Sequence, residues 1–372
     1  MASLSTLPYA VIPSLIDDTN MDDNNNTITP HRTIKHYEWN NIFDGHVGSW
    51  CVGSSHNFFI LLDNIGCPLL LNPFTNTSIN VPPFHNAFIR RAKVPSFSYY
   101  VEHLKENFVS KAVLKSSPSP SQHTLAIMFS YPRKIAFFNH NGAWVELIDA
   151  KRNYCDIVFD NNILYALAGD GSIEGWNFSR SVPRKILDVN HPAINIDKEE
   201  EKEFSSDKFS TQLYLVVSKG EFFMVERFIG NFVNANGEVV YEGYNLSYGE
   251  ICPYRTKHFN VYKLDFQKKS WEKIKCLDGQ VLFVGANEST LVDASRFDDG
   301  NLIYFSDDRW EEMNLDYSYG GHDWGVFNLQ DESVKFFAPD VNKMDPPPIW
   351  MVPTNFSSDS NNNFTNEITS SM

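Results

Sequence analysis

The chain has 372 residues, long enough for two average domains or for one large β-barrel or propeller. Its 31 basic and 46 acidic side chains give a formal charge of −15, and a field of that sign repels phosphate backbones, which excludes nucleic-acid binding through a general basic face. Hydrophobic residues (42%) and charged residues (21%) stand in globular proportion, and the 29 Phe and 16 Tyr favour strands.

Read from the N-terminus, the apolar stretch 7–16 contains Pro8 and Pro13, has no basic lead, and runs into Asp17, Asp18, Asp22 and Asp23. It reads as neither a secretory leader nor a transit peptide. Residues 1–40 are expected to be poorly ordered, and 355–372 to be a disordered tail. MDDNNNT (21–27) and SSDSNNNFTNEITSSM (357–372) offer little to bury against the entropy of ordering them. Residues 41–354 are expected to form the folded body. The longest apolar runs, such as 58–62, are about five residues against the roughly 20 of a membrane span, so no membrane partner is expected. Cys51, Cys67, Cys155, Cys252 and Cys276 are scattered without C-x-x-C spacing and read as reduced thiols of a cytoplasmic or nuclear protein.

Between the ends, short apolar runs alternate with Gly, Asn, Asp, Ser and Pro, the pattern of many antiparallel strands. The crossover helices of a parallel α/β sheet are missing. Residues 99–110 suit a short helix, and DKEEEKEF (197–204) suits a solvated charged linker better than a helical turn. A loose repeat runs through the chain: an apolar strand, an Asn or Asp near its end, a polar turn, a second strand. It occurs at 69–81, 136–148, 175–187, 261–274 and 325–337, aligning Asn72, Asn139, Asn177, Asp265 and Asn328. Asp170-Gly171 and Lys219-Gly220 mark further hairpins. Successive hairpins make meanders, and repeated meanders make propeller blades. The separation of 88 between Asn177 and Asp265 leaves room for one more unit. The expected fold is all-β, an irregular propeller of about six blades, with seven as the alternative and with polar termini. Trp144, Trp176 and Trp271 occupy apolar strand positions and are expected to be buried.

Catalytic signatures are absent: no G-x-S-x-G, H-E-x-x-H, G-x-x-x-x-G-K-[ST] or G-x-G-x-x-G. His322-Asp323 within GGHDW offers a base and an orienter. Adjacent residues on extended backbone point to opposite faces, so a satisfied surface histidine in a Gly-rich loop is the better reading. Asp170-Gly171 with Trp176 reads as a hairpin turn rather than a sialidase-type Asp-box. Asp298, Asp299, Asn301, Asp307 and Asp308 lack Ca²⁺-ligand spacing and read as the turn before, and the end of, a strand at 302–305. Arg90, Arg91 and Lys93 form one short basic patch in loop. No catalytic, cofactor-binding or metal-binding residue is assigned, no cofactor is expected, and the protein is read as not an enzyme.

LLLNPFTNTSINVPPF (69–84) resembles the opening of the plant F-box-associated β-propeller family, the KIB-type propeller, a domain of unknown function. YCDIVFDNNILYALAGDGSIEGWNF (154–178), YLVVSKGEFFMVERF (214–228), FNVYKLDFQKKSWEKIKCLDGQVLFVG (259–285), NLIYFSDD (301–308), DWGVFNLQDESV (323–334) and PPPIWMVPT (346–354) are similar to later segments of that family in the same order. The resemblance implies a protein-interaction propeller, the substrate-recognition part of F-box proteins in cullin-type ubiquitin ligases. Residues 1–40, with Pro8, Pro13 and Pro30, show no amphipathic helical trio of the F-box kind, so direct binding to the ligase adaptor is not expected. An unidentified protein partner is expected on the propeller loops, with 85–111, 229–258 and 309–322 as candidate stretches. The alternatives are a ligase receptor acting through a cryptic adaptor site, a divergent propeller hydrolase, and a family member without retained function.

Overall fold

Apolar runs broken by Asn, Asp and Gly turns fold here into a ring of antiparallel meanders. The computed structural model describes residues 9–12, 35–38, 49–63, 66–83, 109–115, 123–129, 132–139, 143–150, 152–194, 198–241, 253–297, 300–309, 318–337, 342–344 and 347–351. Strands β1 (Tyr9–Ile12) and β2 (Lys35–Glu38) precede the first blade, which is β3 (Trp50–Ser55), β4 (Phe58–Leu62), β5 (Pro68–Asn72) and β6 (Thr77–Asn80). The second blade is β7 (Val109–Lys115), β8 (Thr124–Phe129), β9 (Lys134–Asn139) and β10 (Val145–Glu146). The third is β11 (Tyr154–Asp160), β12 (Ile163–Ala168), β13 (Ile173–Asn177) and β14 (Arg184–Val189).

After β14 the chain adds β15 (Ala193–Ile194) to the outer edge of the fourth blade, then forms helix α1 (Lys198–Glu203). The fourth blade continues with β16 (Phe209–Ser218), β17 (Glu221–Gly230), β18 (Arg255–Asp265) and β19 (Ser270–Ile274). The fifth has β20 (Gln280–Val284) paired with an inner β21 (Thr290–Asp293) on one side and, in parallel, with β22 (Leu302–Phe305) on the other; β23 (Gly325–Asn328) and β24 (Val334–Phe336) follow outward. The last strand, β25 (Ile349–Met351), pairs antiparallel with β1, which pairs in parallel with β2.

Five four- or five-stranded blades and one three-stranded sheet therefore stand where about six blades were expected. The repeat explains the difference. Each aligned Asn or Asp ends the strand before a blade's last hairpin: Asn72 on β5, Asn139 on β9, Asn177 on β13, Asp265 on β18 and Asn328 on β23. The Oδ1 of Asn72 accepts the N–H of Phe74 (2.9 Å) and Thr75 (3.2 Å), Asp265 accepts Gln267 and Lys268, Asn177 accepts Ser179, and Asn328 accepts Gln330. In these four the repeated residue makes an Asx turn that satisfies backbone donors the ladder leaves free, whereas Asn139 Oδ1 accepts the Thr124 hydroxyl at 3.0 Å. The interval of 88 residues holds no additional unit; β15, α1 and the ten- and eleven-residue strands β16, β17 and β18 fill it. α1 is helical where a charged linker was preferred, and its Glu200 takes both oxygens to Lys273 Nζ at 2.9 Å. The helix expected at 99–110 and the tail at 355–372 lie outside the described residues, except that Val109 begins β7.

Blade-on-blade packing sets the hydrophobic code. In β8, TLAIMF, every residue is buried. Leu125, Ile127 and Phe129 pack with Ile60, Leu62 and Leu70 of the first blade, while Ala126 and Met128 pack with Ile157 and Leu164 of the third. A strand covered on both faces reads as a continuous apolar run. β25 works the same way: Ile349 and Met351 join Phe59 and Leu61 of the first blade, and Trp350 joins Phe283 and Tyr304 of the fifth. The small sheet thus closes the ring. Trp144 (5% exposed), Trp176 (0%) and Trp271 (0%) are buried as expected.

Replacing Asn72 by Ala is expected to cost about 1 kcal/mol, because two backbone N–H groups lose their acceptor. Asn72→Asp, which keeps the Oδ1 acceptor, should lose under half of that in a urea titration.

Candidate functional site

Strand alternation fixes where the long connections emerge. Counted from the axis, the loop between β17 and β18 joins the second and third strands of the fourth blade, and the loop between β22 and β23 joins the third and fourth strands of the fifth; the ends of the two connections meet where Arg227 and Thr256 bond Ser306 and Asp323. Their bases meet on one side chain. Arg227, two residues before the end of the β17 apolar run, is 0% exposed. Its Nη1 donates to Ser306 O (2.8 Å), to Tyr214 Oη (3.1 Å) and to Asp308 Oδ1 (3.3 Å). Its Nη2 donates to the backbone and carboxylate oxygens of Asp323 at 3.0 Å, and its Nε to Thr256 Oγ1 at 2.8 Å. The guanidinium lies against the rings of Phe305 (4.9 Å) and Phe259 (6.0 Å). A planar five-donor fork is the group that can reach this many acceptors at once.

Asp307 ties the same region from the other side. Its Oδ2 accepts Tyr254 Oη (2.7 Å) and the N–H of Asp323 (3.1 Å), and its Oδ1 accepts the N–H of Arg309 (3.2 Å). Arg309 and Asp323 bracket one loop, and Tyr254 ends the other. Asp323 accepts the N–H of Thr256 at 3.0 Å and its hydroxyl at 2.7 Å. His322 Nδ1 accepts the N–H of Gly320 and Nε2 faces Tyr254 O, both at 3.0 Å, while Arg255 Nη1 donates to His322 O at 3.0 Å.

Burial and neighbours polarise these groups in opposite directions. Burial, then the charge of Asp323, pushes the Asp307 carboxyl up. Burial would also raise Asp323, but the Arg227 charge, His322 and the Thr256 donors outweigh it and hold that carboxylate below its ordinary value. Burial raises Asp308 against the pull of Arg227. Burial lowers His322 to about 4.

A second polar cluster lies on the axis, where the inner strands β3, β7, β11, β16 and β21 succeed one another. Lys111 Nζ meets Asp156 Oδ1 at 2.5 Å. Asp156 also accepts the N–H of Leu215 (2.8 Å) and Ser289 Oγ (3.3 Å). Glu288, on the way into β21, accepts the N–H of Phe159 at 3.0 Å and the hydroxyl of Ser55. Second, third, fourth and fifth blades meet at Asp156; fifth, third and first meet at Glu288. In the first three blades the inner strand shifts register by one residue near its start, before Gly53, Lys111 and Asp156. A β-bulge re-aims the side chain that follows it, and Gly53 needs its missing Cβ there because one would fall 2.2 Å from Ala112 O.

The candidates read from sequence fall as follows. His322 is satisfied but is 0% exposed, not a surface residue; its neighbour Asp323 takes separate partners, as extended backbone requires. Asp307 and Asp308 follow β22 as expected; Asp307 is buried, Asp308 is half-buried, and both are tied to Arg227 or Tyr254. Asp170 closes the β12–β13 turn by accepting the Ser172 N–H at 3.0 Å. Asp298, Asp299 and the Arg90, Arg91, Lys93 patch lie outside the described residues, as do 85–108, 242–252 and 310–317 of the candidate loops. Arg227 and Lys111 went unnoticed because a single basic residue in an apolar strand carries no spacing signal. Among the described residues no three His, Cys, Asp or Glu side chains converge as a metal-ligand set, and no helix is long and apolar enough to cross a membrane.

The KIB1-4 beta-propeller family profile matches residues 30–328. Among curated proteins, At5g55150 of Arabidopsis thaliana, whose name places it with the F-box proteins, is 22% identical over 275 residues, covering 71% of this chain and 64% of its own length. The F-box/kelch-repeat protein KIB1 of Arabidopsis thaliana is 23% identical over 281 residues, covering 72% of this chain and 57% of its own length. The chain therefore spans roughly three-fifths of those relatives. Among solved structures, the β-propeller domain of Myceliophteria thermophila Cps50 (Swd1) has a TM-score of 0.31 and 10% identity, covering 80% of this chain and 88% of that one. The chain belongs to the KIB1-4 beta-propeller family.

Arg227→Met is expected to destabilise by about 3–5 kcal/mol, since it strands buried carboxylates. Arg227→Lys keeps the charge but cannot fork to Asp308, Asp323 and Thr256 together, and should still cost about 2 kcal/mol. Equilibrium urea unfolding in which Arg227→Lys matched the parent chain would contradict this account of the network.

Proposed function

We propose that this chain is a non-catalytic protein-recognition propeller whose partner docks on the loops that rise from the fourth and fifth blades. One observation carries the reading: two long connections of adjacent blades share one face, and their bases are stapled together by Arg227, Asp307 and Asp323. Rigid scaffolds bearing variable loops suit partner recognition. The carboxylates in this network are consumed by backbone and guanidinium donors, an arrangement that holds position rather than turning over a substrate. Charge complementarity points to a basic partner. Residues 231–254 and 309–321 include Glu238, Glu242, Glu250, Glu311, Glu312 and Asp316 against a single basic residue, Arg309.

The F-box names of the relatives support a substrate-recognition role next to a ubiquitin ligase. We assign the chain the recognition part of that role and not the adaptor contact. Residues 9–12 and 35–38 are strands committed to closing the ring with β25, whereas an adaptor groove is filled by packed amphipathic helices.

Two measurements test this. The purified chain, mixed with the cullin-ligase adaptor and chemically cross-linked, should retain no adaptor; retention with cross-links in residues 1–40 would overturn the assignment. Partner retention from source extract should fall at least about tenfold in a Glu311→Lys, Glu312→Lys variant and fall with added salt, with an unchanged melting midpoint. Undiminished retention would place the partner elsewhere.

A further inference from the structure

The last turn and outer strand of the third blade carry cations and aliphatic side chains that the fold does not use. Between Glu174 and Asp188 the sequence has no acid, in a chain of charge −15, and it holds Arg180, Arg184 and Lys185. Lys185 is spent on Glu174 and Asp188. Arg180 and Arg184 are exposed and take no charged partner among the described residues. Val182 (76% exposed) and Ile186 (50%) alternate with them. The backbone itself turns Ile186 out: Trp176 pairs with Lys185 and Gly175 with Leu187, which leaves Ile186 as the extra residue of a β-bulge. A bulge on an outer strand also discourages the addition of a further strand, so side chains are the means of contact here. The second blade borders the same strip. Val145 (46%) pairs across β9 and β10 with Phe137, so both face the third blade, where Phe137 meets Phe178 edge-on at 5.1 Å. Asn139 Nδ2 donates to Ser181 O at 3.3 Å, which sets the turn of the third blade against the end of β9. Lys115, half-buried at the end of β7, donates to Phe178 O at 3.4 Å and adds a third cation. Asn177 accepts the Ser179 N–H at 2.8 Å and Pro183 fixes its own φ, so the turn is ordered before anything binds.

We propose that this strip is a second docking site, which takes an acidic segment of a partner protein in which carboxylates alternate with aliphatic side chains. Arg180 and Arg184 receive the carboxylates, since a guanidinium fork can give one carboxylate two parallel bonds. Val182, Ile186 and Val145 receive the aliphatic groups. Single exposed aliphatic residues are ordinary on a protein surface. Here a bulge presents one of them, and two unspent guanidinium groups in an acidic chain stand beside them. Complementarity of charge therefore selects an acidic partner at this rim. A lipid surface is a poorer fit, because anionic membranes recruit clusters of about four to eight basic residues and the strip has two that are both exposed and unspent. The acidic loops of the fourth and fifth blades take no part, so the inference goes beyond the recognition reading and stands or falls without it.

Fluorescence anisotropy of the full chain with a labelled synthetic peptide of about twelve residues, glutamate and valine in alternation, tests this. Binding is expected with a Kd of about 10–100 µM and should weaken as salt is raised. The double variant Arg180→Glu, Arg184→Glu should weaken it at least about tenfold, and Ile186→Ser at least about threefold, with the melting midpoint unchanged in both because these side chains are exposed. A peptide alternating lysine and valine should not bind. No binding of the acidic peptide at about 1 mM, a smaller loss in either variant, or equal binding of the lysine peptide would overturn the proposal. Vesicles of phosphatidylcholine with about one-third phosphatidylserine give the last control. Sedimentation of the parent chain with them, lost in the double Arg variant, would assign the strip to a lipid surface and overturn the proposal equally.

Discussion

Where five inner strands converge on a line there is little room, and in this protein that line is filled with charge rather than methyl groups. Glu288 reaches from the fifth blade to the Phe159 N–H of the third and the Ser55 hydroxyl of the first. Asp156 gathers Lys111, Leu215 N–H and Ser289 from the second, fourth and fifth. Two carboxylates thereby touch every blade. An aliphatic plug would exclude water as well, but it would accept the blades in many rotational settings. Directional acceptors demand one setting, and a buried charge left without its partner is heavily penalised. The ring's geometry follows from this demand, and the repeated register shift before Gly53, Lys111 and Asp156 is the local device that brings the acceptors and donors inward.

The charge continues outward from the axis. Burial raises Asp308, and the Lys111 and Asp156 charges act on it in opposite senses, so the axial cluster and the Arg227 cluster form one electrostatic body. Arg227 carries it to the face from which the long loops rise. Stability and the proposed recognition role thus rest on the same side chains. The network that fixes the fourth blade against the fifth also sets the spacing of the loop bases, so a partner would meet a platform whose ordering entropy was lost on folding rather than on binding.

Much of the fold was legible because blades announce themselves through pattern. Asn72, Asn177, Asp265 and Asn328 each end a strand with an Asx turn, and that chemistry needs one residue type at one place. Continuous apolar runs such as β8 marked strands covered on both faces. The blade count suffered from dividing length by an average repeat, since the interval between Asn177 and Asp265 went into longer strands rather than an extra blade. The candidate site was far less legible. Arg227 meets Asp323 across 96 residues and Glu288 meets Phe159 across 129, and no local spacing reports such distant encounters. His322 looked like a loop residue because Gly320 and Gly321 precede it. Those glycines, both at positive φ, turn the chain inward so that the ring can bond Gly320 N–H and Tyr254 O.

The interface between the fourth and fifth blades narrows what the Arg227 network is for. Blades one to three are held by alternating apolar faces, with Leu125, Ile127 and Phe129 against one neighbour and Ala126 and Met128 against the other. The fourth and fifth blades have the same kind of interface, in which Val225, Phe259, Val284 and Phe305 pack together. Arg227, Asp307, Asp308 and Asp323 are therefore additional to the apolar contact, not a substitute for it. They sit at the loop end of that interface, and their bonds run to Tyr254, Thr256 and Arg309, residues where loops begin and end. Dehydrating three carboxylates is a cost that hydrophobic residues of equal volume would avoid. The structural return is positional: each acceptor fixes a loop terminus to another loop's terminus, which aliphatic side chains cannot do.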